Sequence, residues 1–313
     1  MRALALLLAC LALPVAGQEA FPSRPIQIIN PYQPGGATDL LTRALAAVMA
    51  ERLGQPMVVI NRDGAAGAVG TAQGARAAPD GHTLVFAPAL VVSVLPVTQS
   101  GAGYGPDALR PVCQAFSNAQ AILVRADSPL RSLADLVAAS RATAGGLAYG
   151  TLGIASIPHL AMLQWLAAAG TEMPHIPYRG DGPVIIEVLA GRIPVGAVVL
   201  ASASGRADVR LLAVFDTARN PGFPDVPTAI EQGFDVAPTS FGGVFAPRGV
   251  SDQRTAVLEA ACLAAVQSES YRAAAQRALQ PAAYFADAAT FGARLARDIA
   301  EKAALLRMIR PAE

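Results

Sequence analysis

The sequence predicts an α/β protein built as two similar lobes around a cleft. Three observations lead there. Short apolar β-like runs alternate with helical ones from Pro25 onward, that rhythm restarts near Ala121, and a helical C-terminal stretch is long enough to return to the first half. Near-continuous apolar strands belong in a parallel sheet covered on both faces by helices. The 313 residues suffice for one large domain or two of ordinary size. With 53% hydrophobic and 15% charged residues, a sizeable core is available and disorder is disfavoured.

The opening MRALALLLACLALPVAGQEA has one positive charge, an apolar run from Ala3 to Leu13, and small residues at Ala16 and Gly17. Residues 1–20 read as a secretory signal peptide, cleaved between Ala16 and Ala20. As a helix the run is too short to cross a bilayer. Cys10 follows LLA and raises lipid attachment, but a signal ending at Ala9 would have an unusually short apolar core. No later stretch is flanked like a membrane span, so the mature chain is expected to be soluble.

In the first half, IQIINPY is a strand. Leu41, Ala44, Leu45 and Val48 then mark one face of a helix that ends near Leu53 and Gly54. MVVIN (Met57 to Asn61) and HTLVFA are further strands, with GAAGAVG (Gly64 to Gly70) between them serving close packing or one wall of the cleft. The second cycle starts with AILVRADSP and a helix around Leu130 to Ala139. LAYGTLG is a strand leading into a helix around Ile157 to Ala168. MPHIPYRG leads to the helix DGPVIIEVLAG, followed by the strands IPVGAVVL and VRLLAVFD. Proline and glycine become dense again from Asn220 to Gly249. Asp252 to Ala312 is mostly helical, broken at Pro281. The expected organisation is lobe 1 over residues 21–120 with the return of roughly 236–313, and lobe 2 over 121–235.

The 24 basic and 23 acidic side chains leave a formal charge of +1, and arginines are scattered singly. No basic field of the kind that holds nucleic-acid phosphates is present. Three histidines outside any HExxH or CxxC setting argue against a metal. The absence of GxxxxGKS/T anywhere and of GxGxxG from the first βα turn argues against a nucleotide, and no cofactor is expected. After processing, Cys113 and Cys262 remain. Far apart in sequence and set among apolar neighbours, they are expected to be two buried thiols rather than a bridge.

Three turns carry the functional signal, each after a strand and before a helix. In NPYQPGGATD, Gly35 and Gly36 free the main chain for tight dihedrals and close approach. The helix that follows begins with N–H groups lacking intrahelical acceptors, and its polarity favours an anion. The alternative is a turn that folds back, with Thr38 or Asp39 satisfying those donors. In YGTLGIASIPHLA, Thr151 sits at the carboxyl end of a strand, where open α/β sheets place ligands. Ser156 suits a helix cap or a ligand oxygen, and Pro158 fits a first turn. His159 shares a face with Ser156. A Ser–His hydrolase would need a third orienting group and an oxyanion hole, and no GxSxG elbow is present, so His159 reads as structural or cleft-lining. In PYRGDGP, Gly180 and Gly182 loosen the backbone, Arg179 reads as a surface residue or one that approaches a carboxylate, and Asp181 suits an N-cap although its charge opposes a neighbouring anion. Capture is favoured over chemistry.

These blocks resemble, in order, the periplasmic substrate-binding proteins of tripartite tricarboxylate transporters, the Bug family. The likeness runs through FPSRPIQIINPYQPGGATD, QPMVVINRDGAAGAVG, AAPDGHTLVF, YGTLGIASIPHLA, HIPYRGDGPVIIEVLAG and NPGFPDVPTAIEQG, and covers the chain from about Phe21 to the C-terminus. The resemblance implies a type II periplasmic binding protein fold, no enzyme activity, a periplasmic location, a monomer, a small mono- or dicarboxylic acid as ligand, and integral membrane permease subunits as partners. Carried over by position, the candidates are Tyr32, Gly35, Gly36, Ala37, Thr38 and Asp39 from one lobe and Thr151, Ser156 and His159 from the other. Tyr178, Gly180 and Asp181 would set what the far end of the ligand is. A signalling receptor would use the same site.

The chain departs from the family pattern at Ala87 to Leu90 (APAL), where polar residues are usual, and at Asp181, where serine or alanine is usual. Pro194 replaces an aspartate, and AVVL (Ala197 to Leu200) replaces polar positions. Fewer polar groups along that wall imply a ligand less oxygenated than citrate, with an apolar end.

Overall fold

The computed structural model describes residues 20–99, 101–238, 240–278 and 284–309. The signal-peptide reading, with Cys10, and the break at Pro281 lie outside the described residues. Among the described residues no helix is long and apolar enough to cross a membrane.

Two five-stranded sheets organise the chain. The first half contributes β1 (Ile26–Asn30), α1 (Ala37–Leu53), β2 (Met57–Asn61), α2 (Ala68–Ala75), β3 (Thr83–Pro88), two short turns of helix α3 (Leu90–Ser93) and α4 (Leu95–Thr98), and β4 (Leu109–Asn118). The second contributes β5 (Gln120–Arg125), α5 (Leu133–Ala142), β6 (Tyr149–Thr151), α6 (Ile157–Ala169), β7 (His175–Pro177), α7 (Asp181–Leu189), β8 (Val195–Val199) and β9 (Val209–Phe215). The chain then returns as β10 (Ser240–Pro247), α8 (Asp252–Gln267), α9 (Glu269–Arg277) and α10 (Ala288–Ile309).

Sheet order is β2-β1-β3-β10-β4 in the first and β7-β6-β8-β5-β9 in the second. Strands β1, β2 and β3 pair in parallel, as do β6, β7 and β8, while β10 and β5 run antiparallel to their neighbours. The chain crosses between sheets through Asn118, Ala119 and Gln120. At that point Asn118 pairs with Ser240 on one side and Gln120 with Phe215 on the other. Separate cores follow from this division, one around Ile28, Leu41, Leu45 and Phe86, another around Ile122, Tyr149, Trp165 and Phe215. Helix α10 packs Phe291 and Leu295 in a further cluster with Ile29 and Val85, and sets Leu305 and Leu306 against Leu160 and Leu163 of α6.

Strand β10 lies at the end of the segment dense in proline and glycine. Its glycines are there for packing: a Cβ on Gly242 would fall 2.3 Å from the Ala87 carbonyl oxygen, and one on Gly243 2.1 Å from that of Cys113. They sit where the pairing register with β4 shifts, a setting in which glycine marks close backbone approach rather than a turn.

The expected pair of free thiols is corrected. Cys113 on β4 and Cys262 on α8 form a disulfide with 6.6 Å between Cα atoms. Helix α8 packs directly on β4 and both cysteines belong to one core, so a sequence separation of 149 says nothing about distance in space. Such a bridge contributes roughly 2–4 kcal/mol.

Candidate functional site

The first turn is organised by Asp39. Its carboxylate is 2% exposed and accepts from the Gly35 amide at 2.9 Å, Arg43 Nε at 2.9 Å and Asn61 Nδ2 at 2.9 Å. Burial penalises its charge, but the bonds from Arg43, Gly35, Asn61 and Asn30 prevail and hold the carboxyl down at about 2. Asp39 is therefore an internal strut, and the Gly35 amide is engaged within the turn. Gly35 has φ +83°, a left-handed backbone that this bond keeps in place. No side chain caps α1. Among the described residues the amides of Gly36, Ala37 and Thr38 have no acceptor, and Gly36 and Ala37 are exposed. Tyr32 is turned inward against Gly67, and burial raises its phenol above the ordinary value.

The second turn closes on itself differently. Ser156 caps α6: its Oγ accepts from the His159 amide at 3.4 Å and donates to the Gly153 carbonyl at 2.7 Å. Pro158 has no amide hydrogen, and among the described residues the Ile157 N–H has no acceptor. Thr151 Oγ1 lies 2.8 Å from His175 Nε2. The His159 ring stacks on that of His175 with centroids 3.8 Å apart, and its Nδ1 accepts from the Ala155 amide at 3.0 Å. Accepting at Nδ1 puts the proton of the neutral ring on Nε2. Burial lowers both imidazoles to about 4, the His175 ring adding to the effect on His159. Both are neutral near pH 7. Ala155 takes φ +58°, a backbone that its bond to His159 holds in place.

In the third turn, Gly180 rather than Asp181 is the N-cap of α7. The Asp181 carboxylate turns toward the end of β8, where its Oδ2 accepts from the Val199 amide at 3.2 Å and from Ser202 Oγ at 2.7 Å. Its Oδ1 is buried without a partner, and burial pushes the carboxyl up despite those two bonds. The Tyr178 amide donates to the Thr151 carbonyl at 2.8 Å, joining the second and third turns.

A cavity of about 810 Å³ lies between the two sheets. From the first half come Ala66, Pro88 and Leu90; from the second come Leu152 to Pro158 and Val199; Gln120 and Ser240 stand at the crossing strands. Of the twelve candidates Ser156 alone lines it directly. Thr151, His159, Tyr178 and Asp181 support its wall from behind, and Tyr32 supports the Ala66 turn through Gly67. The first turn of α1 does not line the cavity. A second cavity of about 750 Å³ lies between α6 and α10, contains none of the candidates, and is lined by charged groups such as the Lys302–Asp298 pair at 2.8 Å.

Two residues of this region escaped the sequence reading as candidates. His175 is the ring on which His159 stacks. Gln120 is a fully buried polar residue at the head of the otherwise apolar strand QAILV, a signal present in the sequence.

The site consists of capping and main-chain groups, and among the described residues no cluster of side chains suits a metal. The arrangement can hold an anion; Ser156 and His159 do not pair as nucleophile and base, since the imidazole of His159 accepts from a backbone amide and Ser156 Oγ donates to the Gly153 carbonyl. Comparison with known proteins agrees. The family model described as "Tripartite tricarboxylate transporter family receptor" matches residues 41–306. The Bordetella pertussis protein BugT is 33% identical over 271 residues, 83% of this chain and 81% of its own. A TctC solute-binding protein from Polaromonas, solved without ligand, superposes with a TM-score of 0.85 at 30% identity, covering 92% of this chain and 99% of the other. The R. palustris protein Rpa4515, solved with adipate, gives 0.71 at 25% identity over 92% and 97% of the two chains. The chain therefore belongs to the tripartite tricarboxylate transporter family receptors, extracytoplasmic solute-binding proteins and not enzymes.

Proposed function

We propose that this chain captures a small carboxylic acid between lobe 1 (residues 21–120 with 236–313) and lobe 2 (121–235) in the periplasm and delivers it to a membrane permease. The observation that carries this is the pair of helix starts, α1 and α6, whose Gly36 to Thr38 and Ile157 amides have no acceptor among the described residues, Ile157 lining the inter-sheet cavity. Helix N-termini favour a negative guest by about 0.3–1 kcal/mol, and charge-assisted hydrogen bonds add roughly 1.5–3 kcal/mol each. Closure of the lobes would bring the α1 turn over the cavity and withdraw the carboxylate from water, strengthening those bonds. The adipate in the R. palustris relative supports a carboxylate as the guest. The Cys113–Cys262 disulfide supports an oxidising compartment.

Native mass spectrometry of protein purified from its own periplasm, followed by calorimetry with the retained molecule, tests this. A stoichiometric organic acid is expected. Protein that carries no acid and binds none from a carboxylate panel would contradict it.

A further inference from the structure

Among the described residues, no ionisable side chain lines the cavity between the sheets. Leu90, Val94 and Leu95 come from the first half, Leu152 and Ile154 from the second, and Leu306 from the returning helix. Part of this lining is a shared core. Val94, Leu160 and Leu306 form one buried cluster that joins the two halves, and Leu90 and Ala155 pack against it. Beside Ala155 in the chain stands Ile154, which is 64% exposed. Its turn is held in place: Ala155 takes φ +58°, and its amide is bonded to His159. A non-glycine residue in the left-handed region is uncommon, and such backbone clusters at ligand clamps and active sites. A large apolar side chain fixed in solvent at a cavity wall favours whatever hydrocarbon covers it.

The polar side chains of the lining are neutral. Thr98 and Ser156 donate to the carbonyls of Val94 and Gly153, at 3.0 and 2.7 Å, and Gln120 donates to that of Asn118 at 3.1 Å. Gln99 and Ser240 bring no charge. A second carboxylate drawn in here would lose its water without meeting a cation, and an unpaired buried charge is strongly disfavoured.

From this lining we infer that the solute is a monocarboxylate with a hydrocarbon body, seated against Leu90, Ile154 and Leu306. The inference rests on the carboxylate reading above, which supplies the head group; the lining supplies the body. A volume of about 810 Å³ is within the range of pockets that enclose whole small-molecule ligands, so a chain of several carbons is accommodated.

Calorimetry over two homologous series tests this: butyrate, hexanoate and octanoate against succinate, adipate and suberate, with hexanamide as the uncharged control. Along the monocarboxylate series each added methylene should tighten binding about fourfold, the gain from taking one CH₂ group out of water. Hexanoate should bind about tenfold or more tightly than adipate, which has the same carbon chain with a charge at each end. Ile154→Ser, at an exposed position, should weaken octanoate more than butyrate. A flat monocarboxylate series, adipate at least as tight as hexanoate, or equal weakening of octanoate and butyrate in Ile154→Ser would each overturn the inference and leave a carboxylate as the guest. The first two need no variant. Hexanamide as tight as hexanoate, or no binding by any acid of either series, would instead overturn the carboxylate reading itself.

Discussion

The amide of Gly35 donates to the carboxylate of Asp39 at 2.9 Å, closing the turn before α1 on its own helix. The same carboxylate collects Arg43 and Asn61, so one buried acid fixes the whole turn and directs the following amides outward. Asp39→Ala should therefore cost about 1–3 kcal/mol, read from urea unfolding, because it removes the shared acceptor of the Gly35, Arg43 and Asn61 donors at once. The acid-limb stability of the native chain should decline as pH falls from about 4 toward 2. The folded carboxyl titrates at about 2, below its unfolded value, so its contribution is present above the unfolded pKa and lost on descent through the folded one.

The two glycines of this turn separate by function. Gly35 has φ +83°, so Gly35→Ala should destabilise by about 1–2 kcal/mol. Gly36 has an ordinary φ of −74°, and a Cβ there would meet only the Gln33 carbonyl oxygen at 3.7 Å. Gly36→Val should keep its melting temperature yet lose about tenfold or more in acid affinity, since the branched side chain shields the open amides. Unchanged affinity in calorimetry would remove α1 from the site.

The stacked imidazoles give a second pH signature. Both are held at about 4, below the ordinary histidine range, so the unfolded state takes up protons first as pH drops. Stability contributed by these neutral rings is complete above about 6.5 and is lost as pH falls toward 4. Melting temperatures measured over that window should fall less steeply for His175→Gln than for the native chain.

Asp181 presents the opposite case, a buried carboxylate facing Val199 and Ser202. Asp181→Ser should raise the affinity for adipate relative to hexanoate by severalfold at a pH where the native carboxyl is ionised, as negative charge behind the wall is then removed. Identical ranking of the two acids in mutant and parent would show that this carboxylate is not felt in the cavity.

Removing the disulfide with Cys113→Ala and Cys262→Ala together should lower stability by roughly 2–4 kcal/mol with the fold retained. Denaturation with and without reductant on the native chain provides the same comparison without mutation.

Local pattern made much of this legible. The face marked by Leu41 and Leu45 is the buried face of α1, and the βα turns at Gly36 and Ser156 stand at helix starts as spacing suggested. What stayed hidden depended on distance in space. Strand β10 went unassigned because its glycines answer to the carbonyls of Ala87 and Cys113, residues far away in sequence. The Cys113–Cys262 bridge was hidden for the same reason. His175 meets His159 only because β7 lies in register beside β6, aligning His175 with Tyr149. Asp39 offered two readings, ligand contact and internal strut, and only its burial beside Arg43 and Asn61 separates them.

The most direct test is a crystal structure of the protein with the acid it retains. The account predicts the carboxylate within hydrogen-bond reach of the Gly36 to Thr38 amides and of the Ile157 or Ser156 groups, with the lobes drawn together around it. A solute seated elsewhere, with those amides bonded to the protein itself, would contradict it.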